Sequence, residues 1–274
     1  MNIYSVFDLI NTPDTLHRIS SDILHHQAVL IKQAESRLIA DSTDRENILR
    51  YLRDKQLPQR PSLIEDVMKN FVSSALSYSV IRRSLGSHIG AIPTASSIAK
   101  ALAAEFSEAK FLDDLFWNPI SMKNLALDIA EKHGLSNAKL GEKTLHSRIL
   151  GVLHDGSHQI DNATKSGLET YYATISQQVK SPENAWKLLE KFAANIRQVG
   201  PALTADFMKN IGFHMFVKPD FHFLRQIPKL SGIETTFSPR DSFYLGWLLA
   251  DRLNIPAFTL DHTLYQWGRY CNRS

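Results

Sequence analysis

One cysteine, Cys271, stands among 274 residues. A lone thiol excludes an intrachain disulfide, an iron–sulfur cluster and a cysteine-rich zinc site, because each needs several sulfur ligands. Long apolar runs are missing too, and no stretch approaches the roughly 18 continuous apolar residues of a membrane span. The opening MNIYSVFDLINTPDTLHR has no basic segment leading into an apolar one. No secretory leader is read there, and a cytoplasmic protein without membrane contact is expected. The eleven histidines, His25, His26, His154, His158, His214 and His222 among them, fall into no H-E-x-x-H or similar ligand spacing. Most are expected in structural or surface roles. The net charge of +3 argues against a protein that coats DNA by charge alone.

The charge that is present is unevenly placed. Between Trp186 and Ser274 lie 11 Lys+Arg and 7 Asp+Glu, a local net of +4, which leaves the remainder at −1. That excess is compatible with a phosphate-binding face in the C-terminal third. With 43% hydrophobic and 22% charged residues the chain has the composition of a folded protein. Its length suffices for one large domain or two lobes.

Apolar residues recur at helical spacing almost throughout. Leu16, Ile19, Ile23, Leu30, Ile31, Ala34 and Leu38 mark an amphipathic helix over 15–38, with Asp14 as its expected N-cap. Arg45 to Leu52 repeats the signal more briefly. LPQRPS (57–62) reads as a connector, with Ser62 capping a helix that begins at Leu63 and ends at Gly86. SSIAKALAAEF, ISMKNLALDIAEKHG, EKTLHSRILGVLHD and LETYYATISQQV predict further helices. There is neither convincing strand alternation nor an internal repeat, so the fold class is all-α.

The stretch RQVGPALTADFMKNIGFHMFVKPDFHFLRQI carries the chemistry. Before it, PENAWKLLEKFAANI places Trp186, Leu189, Phe192 and Ile196 on one helix face. The chain then turns at Arg197-Gln198-Val199-Gly200, and Pro201 suits the first turn of a second helix that Gly212 closes, with Leu203, Phe207 and Ile211 facing inward. So tight a turn points backbone amides outward at the second helix's N-terminus, where they and the helix dipole favour a phosphate. The same residues also suit an ordinary hairpin of two helices. Asp220, behind Pro219, opens the next helix. It can cap that helix, and a carboxylate so held stays ionised and oriented for stabilising an oxocarbenium-like sugar or activating water. The two roles are compatible.

These residues together resemble the helix-hairpin-helix DNA glycosylase superfamily. Its pattern is an L-P-G-V-G-x-x-T-A hairpin followed about twenty residues later by a catalytic aspartate in D-x-H-h-x-R. Gly200 matches the second hairpin glycine, Asp220 lies at +20, and Asp220-Phe221-His222-Phe223-Leu224-Arg225 fits the second motif at every specified position. The likeness spans roughly 185–226. Gln198 replaces the first hairpin glycine, and Arg197 stands where proline is usual. Ala202 occupies the place of the nucleophilic lysine of members that also cleave the strand, so a Schiff base cannot form there.

The resemblance implies an all-α, glycosylase-like protein of two helical lobes with the active cleft between them. Residues 1–274 form a single catalytic module in that reading. A central lobe over 67–212 ends in the hairpin (185–212), and 1–66 plus 213–274 form a second lobe carrying Asp220. The implied activity is that of a monofunctional DNA glycosylase for base-excision repair, which flips a modified base out of double-stranded DNA and leaves an uncut abasic site. Gln198, Val199, Gly200, Ala202, Thr204, Lys209, Lys218 and His222 are the expected DNA contacts. Tyr78, Ser79 and Trp117 are candidates for wedge or base pocket, while Tyr171, Tyr172, Phe213 and Phe216 suit either a pocket or the core. The branch implied has no iron–sulfur cluster and needs no cofactor, although hairpin carbonyls can hold a monovalent cation. A nucleoid-associated monomer is expected. The target base, whether alkylated, deaminated, oxidised or of phage type, is not legible. The alternative is a catalytically inactive helix-hairpin-helix module that binds DNA or scaffolds. A third reading is a helical protein–protein adaptor.

Overall fold

Helical periodicity becomes helix across the computed structural model, which describes residues 3–75, 124, 151–233 and 235–271. Among the described residues every regular element is helical. Tyr78, Ser79, Trp117, the helix end at Gly86 and, apart from Asn124, the helices expected over 96–150 lie outside them.

Helix α1 (Ile3–Ile10) precedes α2 (Pro13–Glu35). Thr12, not Asp14, caps α2: Pro13 takes the first helical position, the Thr12 side chain accepts the Thr15 amide, and Asp14 falls in the first turn. There its charge still complements the helix dipole. The helix also stops at Glu35 and not at Leu38, because Arg37 adopts a left-handed φ of 56° and Leu38 turns out to solvent. The weak signal over 45–52 becomes α3 (Ser42–Ile48) running into a π-helical turn (Leu49–Arg53). Then come α4 (Ile64–Ala75), α5 (Gly151–Thr164), α6 (Leu168–Gln178), α7 (Pro182–Ala193), α8 (Pro201–Asn210), α9 (Phe221–Ser231), α10 (Pro239–Arg252) and α11 (Ala257–Tyr270). No helix among the described residues is long and apolar enough to cross a membrane.

The chain divides into two units. One comprises 1–60, 181–186 and 208–274, the other 61–180 and 187–207. In the first, α11 is the central element. It packs on α2, α9 and α10 and is buried nearly all round, with Thr259, Asp261, His262, Thr263 and Gln266 among its buried residues. Its polar side chains are therefore met inside: Thr263 accepts from Gln27 of α2, and Asp261 pairs with Lys209. Phe213 and Phe216, candidates for a base pocket, are buried core residues of this unit. Gly212 closes α8 at φ +92°, and a Cβ there would lie 3.0 Å from the Arg60 backbone nitrogen, so no other residue fits.

In the second unit α5 packs on α4 and α6. Phe207 of α8 meets Phe71 of α4 edge-on at 5.6 Å and Phe192 of α7 at the same distance. This aromatic cluster fixes the two helices that flank the turn. Tyr171 and Tyr172 are core residues here, and the Tyr172 hydroxyl donates to the Pro61 carbonyl at 2.8 Å.

Candidate nucleic-acid and catalytic site

The apolar stripe of α7 is realised: Trp186, Leu189, Phe192 and, past the helix end, Ile196 are all buried. Phe207 on α8 and Ile211 just past its end are buried, whereas Leu203, expected to face inward with them, is half-buried near the helix start. Between the helices the chain turns through 194–200. Gln198 takes φ 61°, the left-handed conformation that glycine adopts at no steric cost. The departure from glycine thus leaves the turn in a glycine-like shape, at a cost of about 1 kcal/mol.

Two anchors hold that shape. Val199 is buried and its amide donates to the Ile196 carbonyl at 3.3 Å. Arg197 forks onto Asp155 of α5, Nε to Oδ2 at 2.7 Å and Nη2 to Oδ1 at 2.9 Å, and its backbone amide reaches the same carboxylate at 3.1 Å. Asp155 is largely enclosed, and burial alone raises its pKa. The hydrogen bonds from Arg197 and His154 outweigh that and hold it below the ordinary aspartate value. Asp155 is the residue that sequence reasoning missed. It lies 42 positions from its partner, and nothing local marks it.

Pro201 has no amide hydrogen, and the first helical bonds of α8 run from Leu203 and Thr204 to the Gly200 carbonyl. The amides of Gly200 and Ala202 therefore lie ahead of the helix's own bonding, next to the exposed Gln198. The φ of Gly200 lies outside the left-handed region, and a Cβ on it would meet nothing within 4 Å. Folding does not demand glycine there. A ligand that approaches the backbone from outside would.

Other expected contacts sit differently. Thr204 is 1% exposed and its hydroxyl donates back to the Gly200 carbonyl at 3.3 Å, so it closes the helix start from within. Val199 likewise anchors with its side chain turned away from solvent. Lys209 is 12% exposed and its ammonium meets Asp261, itself 2% exposed. A lysine so placed neutralises a buried carboxylate and does not reach a phosphate. Lys218 is half-buried.

Asp220 caps α9 as the sequence predicts. Its Oδ1 accepts both the His222 amide at 3.0 Å and the Phe223 amide at 3.1 Å, and its second oxygen carries neither bond. The side chain is half-buried. The His222 ring lies edge-on to Tyr265 of α11 at 5.2 Å, and its Nδ1 lies where a Cβ on Gly268 would approach to 3.2 Å. It is thus packed on α11. Burial pushes the Tyr265 phenol up in pKa, and the nearby Asp220 charge adds to that. Phe221, between Asp220 and His222, is exposed. Along α9 an open groove of about 890 Å³ is lined by Leu224, Arg225, Pro228 and Lys229. Among the described residues no three His, Cys, Asp or Glu side chains are grouped to hold a metal ion.

No protein-family model matches the chain, and no curated protein or solved structure matches it either.

Proposed function

We propose that this chain is a monofunctional DNA glycosylase, in which Asp220 drives cleavage of the N-glycosidic bond of a base extruded from double-stranded DNA. The observation that carries the reading is the placement of the Asp220 carboxylate. Two backbone amides fix one oxygen, leaving the other oriented, in a half-buried position that follows the turn glycine by twenty residues. A charged oxygen held in this way suits the positive charge that grows on the sugar as the base departs. The amides of Gly200 and Ala202, with Gln198 beside them, supply a phosphate contact that is indifferent to sequence. Ala202 offers no amine, so the product is an abasic site with its strand intact.

The test is mass-spectrometric detection of free bases after incubation with alkylated, deaminated, oxidised and phage-modified DNA. Asparagine caps helices about as well as aspartate, so Asp220→Asn should fold normally and isolate the charge. Release by the wild type and a loss of about 10²-fold or more in the variant is the expected result. Equal release by both removes Asp220 from the chemistry. A second reading is favoured by the same cap, since a carboxylate bonded to two amides is fully accounted for as a helix start. In that case the chain binds DNA without excising a base, and binding with no release across the panel is its signature.

A further inference from the structure

Phe221 is 64% exposed, a large aromatic ring in water directly after Asp220. Isolated surface aromatics are common and need no purpose. This one is built in. The Asp220 cap fixes the backbone on which it stands, the Arg225 guanidinium lies 5.1 Å from its ring centroid, and His222 meets it edge-on at 5.5 Å. Arg225 also lines the groove along α9, which continues past Lys229. An aromatic face backed by a guanidinium that itself lines a groove with a second cationic residue combines the two elements that hold an unpaired strand: stacking for the base and positive charge for its backbone.

The geometry points to Phe221 as a stacking platform for an unpaired nucleobase, with the strand that carries it lying along the Arg225–Lys229 groove. This rests on the DNA reading above and deepens it by naming the surface that takes the target strand. It does not depend on base excision. The sequence motif leaves this position unspecified, and only exposure beside Asp220 singles it out.

The experiment compares two fluorescein-labelled 12-mers at one fixed salt concentration: oligothymidylate, and a tetrahydrofuran abasic strand with the same phosphates and no bases. Fluorescence anisotropy is read with the full chain as wild type, Phe221→Ala and Phe221→Trp. The expected result is a wild-type preference for the base-bearing strand, which Phe221→Ala weakens roughly tenfold and Phe221→Trp restores. Affinity for the abasic strand stays the same in all three. The platform is overturned if neither strand binds, if the wild type does not distinguish them, or if Phe221→Ala leaves oligothymidylate binding intact or weakens both strands alike. No base is released in this readout, so the two ideas fail separately. A Phe221 effect without excision on the damaged-DNA panel leaves the platform on a binding module. Excision without a Phe221 effect leaves the enzyme and removes the platform.

Discussion

Gly200 and Gln198 exchange the roles that a sequence pattern gives them. The position that bends the chain into left-handed space is held by glutamine, and the glycine two residues on has neither a strained φ nor a crowded Cβ. The chain's own packing does not require glycine at 200, and under the proposed DNA reading its absence of a side chain leaves the backbone open to close approach. Gly200→Ala should keep or slightly raise thermal stability, because alanine at a compatible φ restricts the unfolded chain and gains about 0.4–1 kcal/mol. The same change should weaken binding to a DNA duplex by roughly tenfold, the value of one lost amide–phosphate hydrogen bond. A thermal melt and an anisotropy titration read the two effects separately, and a fall in stability without a fall in affinity would return Gly200 to a purely structural role. Asp220 is legible at this scale because a cap is a local event. Asp155 is not, for its partner Arg197 is brought to it only by folding.

Among the elements, α11 shows why an apolar reading of sequence misses polar residues that are buried for a reason. AFTLDHTLYQWGRY looks like a packed final helix, and so it is, yet it brings Asp261 into the core and draws Lys209 to it from the end of α8. Lys209 read as a phosphate contact because it flanks the hairpin. Its length lets the stem lie along buried surface while the ammonium reaches a carboxylate. Lys209→Met takes the balancing charge away from that buried carboxylate and should cost about 3–5 kcal/mol, whereas adding Asp261→Leu should recover most of the loss, since a buried pair is often no better than its apolar replacement. Urea midpoints at constant slope for the two single variants and the double variant check this. Similar losses in the single and double variants would show that packing and not charge is at stake.

At the scale of the whole molecule, pH dependence is the accessible readout. Burial lowers the pKa of His262 from its ordinary 6.5 to about 3, and the Lys209 charge pushes in the same direction. Between those values the unfolded chain binds a proton that the folded chain refuses. Folding stability therefore rises with pH across that window, by up to about 1.4 kcal/mol per pH unit from this group alone. The unit that contains α11 should be clearly more stable to urea at pH 7 than at pH 5. His262→Leu should flatten that difference, leaving the smaller part due to His26, whose pKa burial also lowers. An unchanged slope in the variant would mean that His262 is protonated in the fold. Asp155 contributes only at lower pH: its depressed pKa gives stability that is present above the ordinary aspartate range and lost as pH falls below it.

The sequence by itself determined the helical class, the turn between α7 and α8, the stripe of Trp186, Leu189, Phe192 and Ile196, and the cap at Asp220. Each follows from spacings of a few residues, where periodicity, proline at a helix start and a capping carboxylate act without the rest of the chain. Tertiary structure decided what those signals could not reach. It set which amphipathic face is shared, placed Thr204 and Lys209 inside and left Phe221 in water, and joined Arg197 to Asp155 across 42 positions. The physical reason is the range of the forces involved. Backbone hydrogen bonding and helix propensity are settled within a turn or two, whereas burial and ion pairing depend on which distant residue arrives, and one chain read in order does not say which.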